Sequence, residues 1–161
     1  MSEPVLITPE LTQRPPRPAN LAEENAILGQ LAESLLGPAD AAIQGVVEAA
    51  VKLCAAHSAG ASLLEGASGE QYFRCVSAAG RYGATSLPLV PRARSVSHVT
   101  LESQTVQLFR HPSQAFNAFR ALHPPIGEIL LAPLILKGRA LGTLWVVRHD
   151  EAAHFNAEDA R

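Results

Sequence analysis

Apolar residues recur along this chain first at helical and later at strand spacing, and each change of period marks a new element. Ile27, Leu28, Leu31 and Leu35 form a stripe at helical spacing. Asn20 offers an N-cap side chain with Glu23 three residues on as a capping box, and Gly37 and Pro38 stop the helix. A second helix is predicted over about Ala39 to Ala56. There Ile43, Val46, Val47, Ala50 and Cys54 share one face, while Asp40, Gln44, Glu48 and Lys52 recur every fourth residue on another. The period then shortens. Ala61 to Glu65 and Tyr72 to Ala78 are strand-like runs joined by the turn Gly66 to Glu70, which predicts a hairpin.

From Gly80 to Pro125, glycines and prolines interrupt every run, and only short pieces are expected: a helix at Ser95 to Glu102, a strand at Thr105 to Phe109 and a helical turn at Ser113 to Phe119. The closing pattern is clearer. Glu128 to Leu136 and Ala140 to Arg148 are rich in Leu and β-branched residues and flank Lys137-Gly138-Arg139, so a buried hairpin is predicted with Gly138 at positive φ. Asn156, with Glu158 and Asp159 behind it, reads as the start of a helix that is expected to continue in a longer protein. At the other end, Met1 to Ala19 carries Pro4, Pro9, Pro15, Pro16 and Pro18 and is expected to be an extended or disordered arm outside the core, leaving residues 20–161 as one domain.

Composition narrows the class. With 47% hydrophobic and 17% charged residues the chain is too apolar for disorder, yet no apolar run approaches the roughly 18 residues that a membrane span needs. Thirteen Lys and Arg against fifteen Asp and Glu give a net charge of −2, without the basic surplus of a nucleic-acid binder. Neither nucleic acid nor a membrane is expected as a partner. Cys54 and Cys75 form no close pair and no secretory signal is visible, so a cytoplasmic location is expected.

Three stretches resemble GAF domains of bacterial sensor histidine kinases. Gly142-Thr143-Leu144-Trp145-Val146-Val147 with His154-Phe155-Asn156-Ala157-Glu158-Asp159 is similar to their last strand and outgoing helix. Leu108-Phe109-Arg110-His111-Pro112 with Phe116 is similar to their "FxHP" segment, and Leu130 to Leu134 with Pro133 to their penultimate strand. The resemblance implies an α/β (α+β), GAF/PAS-like fold: a central antiparallel sheet of five or six strands, the N- and C-terminal helices on one face and a variable segment over the other. It also implies a regulatory small-molecule sensor and dimerisation domain of a two-component histidine kinase, with no catalysis of its own. Its ligand pocket lies between sheet and variable segment, and its terminal helices form a homodimer that signals to a downstream kinase domain. The residues expected at that pocket are Arg74, Ser97, His98, Phe109, Phe116, Phe119 and Leu130. A pocketless interaction module is the alternative, and an enzyme like the free methionine sulfoxide reductases a further one.

The candidate chemistry is sparse. Bilin-binding relatives use a cysteine beside a histidine, and the local analogue Ser97-His98 lacks the sulfur, so no covalent bilin is expected. The reductases need cysteines in the loops around the pocket, and Arg81 to Pro125 has none. Of six histidines only His149 and His154 are close in sequence, and no metal site is predicted. A haem ligand among His98, His111 and His123 stays open, as one imidazole suffices. Ser95, Ser97 and Ser103 have no nucleophile elbow. Arg74, Arg81, Arg92, Arg94, Arg110 and Arg120 surround the variable middle, either as an attraction for an anion or as a solvated rim.

Overall fold

A computed structural model describes residues 5–161. Six strands form one antiparallel sheet in the order β3-β2-β1-β6-β5-β4: β1 (Ser58–Glu65), β2 (Tyr72–Gly80), β3 (Val90–Pro91), β4 (Gln107–Arg110), β5 (Glu128–Leu136) and β6 (Arg139–Arg148). The two hairpins meet where β1 pairs with β6, Gly60 opposite Trp145. A Cβ on Gly60 would come within 2.2 Å of the Trp145 ring, so the absence of a side chain there is what lets the indole lie across β1. At the β5–β6 turn both Lys137 (φ 50°) and Gly138 (φ 77°) take the left-handed conformation, as a two-residue turn between twisted strands demands.

Alternation along the strands divides the core into two layers. Ala59, Ala61, Leu108, Leu130 and Val146 face a layer completed by Val47 and Phe155. Phe109, Ile129, Leu131, Trp145 and Val147 face the opposite layer with Tyr82, Val96 and Ile126. On the first face lies α3 (Ala39–Leu53), which buries Val47 and Ala49, and α2 (Leu21–Ser34) packs on α3 from outside. The capping box of α2 is present, since Asn20 Oδ1 accepts from Glu23 N at 3.2 Å and Asn20 Nδ2 donates to Glu23 Oε2 at 3.0 Å. Its apolar stripe is split: Ile27 is buried, whereas Leu28 and Leu35 point to solvent. Over the second face run the segments of residues 81–126 on either side of the edge strand β4, with α4 (Val96–Ser103) capped by Ser95 Oγ, which accepts from His98 N at 3.0 Å. The predicted turn at 113–119 is two short 3-10 turns, at Pro112–Gln114 and Asn117–Phe119. Among the described residues, no helix is long and apolar enough to cross a membrane.

The ends depart from expectation. The first four residues of the predicted arm lie outside the described residues; of the rest, residues 5–14 dock on the sheet, whereas residues 15–19 form no regular element and are mostly exposed. Arg110 N donates to Val5 O and Ile7 N to Leu108 O, both at 2.8 Å, so the arm pairs with the free edge of β4 and then turns through α1 (Glu10–Gln13). Ile7 and Leu11 are buried. The prolines limit backbone conformation without removing the apolar side chains between them, and an unpaired strand edge offers hydrogen bonds to any such segment. The predicted C-terminal helix start is instead a run of turns, in which Asn156 Oδ1 accepts from Glu158 N at 2.9 Å while Phe155 is fully buried.

Both ends converge on Glu128 at the start of β5. Its carboxylate accepts from Arg14 Nη1 and Nη2 at 3.0 and 2.6 Å and from Phe155 N at 3.1 Å, and it meets His154 Nδ1 at 3.0 Å. Nearby, Arg17 bonds Asp159 Oδ1 at 2.7 Å and Leu53 O at 2.6 Å.

Candidate functional site

Between the second face of the sheet and the covering segment lies a cavity of about 70 Å³. Strands contribute Phe73, Cys75, Ile129, Leu131, Trp145 and Val147, and the cover contributes Tyr82, Leu87, Ser95, Val96, Ser97, Ala118, Phe119, Leu122 and Ile126. None of the lining side chains is acidic, basic or imidazole.

The polar atoms at this wall are paired within the protein. Trp145 Nε1 donates to Ser62 Oγ at 3.0 Å, and Ser97 Oγ shares a hydrogen bond with Thr143 Oγ1 at 2.8 Å. Tyr82 donates its hydroxyl to Pro124 O at 2.5 Å, tying the start of the cover to its end, and burial pushes its pKa up to about 12. Cys75 Sγ donates to Ser77 O at 3.3 Å, and burial raises its thiol pKa as well. Behind Tyr82, Ser58 Oγ accepts from Tyr82 N at 3.1 Å and lies 2.8 Å from His149 Nε2, while His149 Nδ1 lies 2.9 Å from Pro125 O. One tautomer satisfies all three contacts: Nδ1–H donates to the carbonyl and neutral Nε2 accepts from Ser58. Burial holds the His149 pKa below its ordinary value.

The residues expected from sequence separate into three groups. Ser97 and Phe119 line the cavity. Phe109 and Phe116 stand behind Phe119 in an edge-to-face series, with ring centroids 5.9 and 6.3 Å apart. The other three do not line it. Leu130 belongs to the helix-side layer, because on β5 it alternates with Ile129 and Leu131, and these two reach the cavity instead. Arg74 alternates in the same way with Phe73 and Cys75; it is half exposed and pairs with Glu65 across the hairpin. His98 follows Ser97 on α4 and points outward, with Arg92 Nε 3.4 Å and Glu102 Oε1 3.9 Å from its Nδ1. Strand parity could have found Phe73, Cys75, Ile129 and Leu131 once Trp145 was taken as the inward marker. Tyr82, Leu87 and Leu122 carry no such signal, because irregular backbone has no period.

The two cysteines lie on different layers. Cys54 packs into the helix-side core, where burial raises its pKa to about 11, whereas Cys75 faces the cavity. Two arginines of the variable middle are engaged elsewhere, Arg92 with Gln71 and Glu102 and Arg110 with Glu10. Among the described residues, no three His, Cys, Asp or Glu side chains converge as metal ligands would.

The architecture is shared with solved structures. A GAF domain of a phosphoenolpyruvate-protein phosphotransferase from Coxiella burnetii superposes with a TM-score of 0.68 at 15% identity, over 88% of this chain and 86% of that one. A free methionine-R-sulfoxide reductase from Neisseria meningitidis gives 0.67 at 14% identity, over 91% and 85%. The GAF-B domain of DevS from Mycobacterium smegmatis gives 0.56 at 18% identity, over 73% and 79%. At these identities the likeness concerns the fold. No curated protein matches the chain by sequence. The profile of the GAF domain family, however, matches residues 38–161, a span that holds all six strands, α3 and the cover, and the chain belongs to that family.

Proposed function

We propose that this GAF domain is a cytoplasmic regulatory module of a sensor histidine kinase, in which a small molecule in the cavity beneath residues 81–126 biases the output of a kinase module. The observation that carries this reading is the cavity itself: a partly open, largely apolar space between the sheet and an irregular cover, at the place where such a cover can respond to an occupant. The kinase context is supported by the resemblance of Leu108 to Pro112, Leu130 to Leu134 and Gly142 to Asp159 to that subgroup. The mechanism is a population shift. An occupant that binds one arrangement of the cover more tightly moves the equilibrium by that difference in affinity, and the Tyr82–Pro124 bond links the two ends of the cover that would move.

Dimerisation is part of this proposal, and a specific feature of α2 favours it. Leu21, Leu28 and Leu35 follow one another at seven-residue intervals and are 63%, 55% and 65% exposed, the seam that a coiled-coil partner would cover. A reductase activity is less well supported, because the one thiol at the cavity has its only possible partner in the other core layer. Melting curves with a panel of nucleotides, tetrapyrroles and small neutral and ionic metabolites test the ligand-binding part. A concentration-dependent rise is expected from at least one class, and a flat response to all would identify a pocketless interaction module.

A further inference from the structure

The chemistry of the cavity constrains what can occupy it. Its volume is about 70 Å³, roughly half that of an engineered apolar cavity of about 150 Å³ that takes benzene or xenon, and far below the roughly 300–1,000 Å³ of pockets for drug-sized ligands. No ionisable counter-charge faces it. Bringing an anion in would strip its hydration with no cation in return, a cost that rises steeply in an apolar site. Of the arginines around the cover, Arg74, Arg92 and Arg110 are held by Glu65, Glu102 and Glu10, and neither these nor Arg81, Arg94 and Arg120 line the cavity. The start of α4 at the wall is the one feature that would favour negative charge; the Ser95 hydroxyl occupies His98 N, and no cationic side chain lines the cavity to reinforce the Val96 and Ser97 amides that remain. The wall hydroxyls of Ser62, Ser97 and Tyr82 are engaged too, so a ligand gains little by hydrogen bonding.

We infer that the occupant of this cavity is an uncharged molecule of only a few non-hydrogen atoms, held by apolar contact, and not an inorganic or carboxylate anion, a nucleotide or a tetrapyrrole. This inference rests on the regulatory-pocket reading above and specifies its ligand class. It turns on matching shape without charge: a compact neutral molecule displaces nothing that is hydrogen-bonded and fills space that otherwise lacks contact atoms.

Trp145 makes the test direct. It is the only tryptophan in the chain, it lines the cavity, and its indole N–H bonds Ser62, so one indole amide resonance and the intrinsic fluorescence both report from the wall. The protein is titrated with xenon and isopropanol as neutral probes, with acetate and nitrate as anions of the same heavy-atom count as the alcohol, and with cyclic AMP. Saturable shifts of the indole resonance are expected with both neutral probes and none with the anions or the nucleotide. Ala118→Leu, which fills the space from the cover, is expected to abolish the response without lowering the melting temperature. Leu122→Phe fills it from another position should the first variant fold poorly. Acetate, nitrate or cyclic AMP moving the indole while neutral probes do not would overturn the ligand class and leave the regulatory pocket standing. Silence from every probe, together with a flat melting response across the wider panel, would overturn both.

Discussion

The Glu128 carboxylate is 3% exposed, yet it collects bonds from the N-terminal segment through Arg14 and from the C-terminal segment through His154 and Phe155 N. Buried charges persist only with such partners, and removing one side of the set leaves the other uncompensated. Glu128→Gln is therefore expected to cost about 3 kcal/mol, read as a lower urea midpoint at unchanged slope. His149 is the second residue whose environment sets a measurable behaviour. Burial depresses its pKa below the ordinary 6.5, so the folded chain resists a proton that the unfolded chain accepts. Above 6.5 both states hold it neutral and nothing is lost. Below that value the unfolded state binds the proton first, and stability falls until the lower folded pKa is passed. Melting temperature should decline as pH drops below about 6.5, and the decline should be shallower in His149→Gln, which carries no titrating ring. Neither role is visible in the sequence, because an isolated Glu or His carries no mark of its burial.

At the scale of elements, local signals worked where the backbone is regular. Asn20 and Glu23 cap α2, Ser95 begins α4, and the β5–β6 hairpin turns at Lys137 and Gly138, each from chemistry that acts over a few residues. The arm failed for the converse reason. Ile7 and Leu11 are too few to form a periodic pattern, and what orders them is the exposed edge of β4, nearly a hundred residues away. Ile7→Ala should then cost about 2–5 kcal/mol in chemical denaturation, as for other fully buried aliphatic residues; a loss near zero would mean that the arm is not docked in solution. Of the Leu stripe on α2, sequence could not say which members face inward, since α3 covers only one side of it.

At the scale of the whole molecule, the exposed leucines bear on assembly. Leu28→Gln with Leu35→Gln is expected to shift sedimentation from dimer to monomer while the far-ultraviolet spectrum stays unchanged, because neither side chain is in the core. A wild-type protein that sediments as a monomer at all concentrations would count against the dimer. Sequence by itself determined the two hairpins, the two main helices and, through three motif-bearing stretches, the family. The elements rest on periodicity, capping and turn chemistry, which are local, and the family on the resemblance of those stretches. Tertiary structure alone decided that the N-terminal segment completes the sheet edge, that Leu130 and Arg74 turn away from the cavity while Ile129 and Cys75 turn toward it, and that among the described residues no charged side chain lines its wall. Those outcomes depend on which face of the sheet each layer covers and on where an aperiodic cover comes to rest. Both are settled by contacts between residues far apart in the chain.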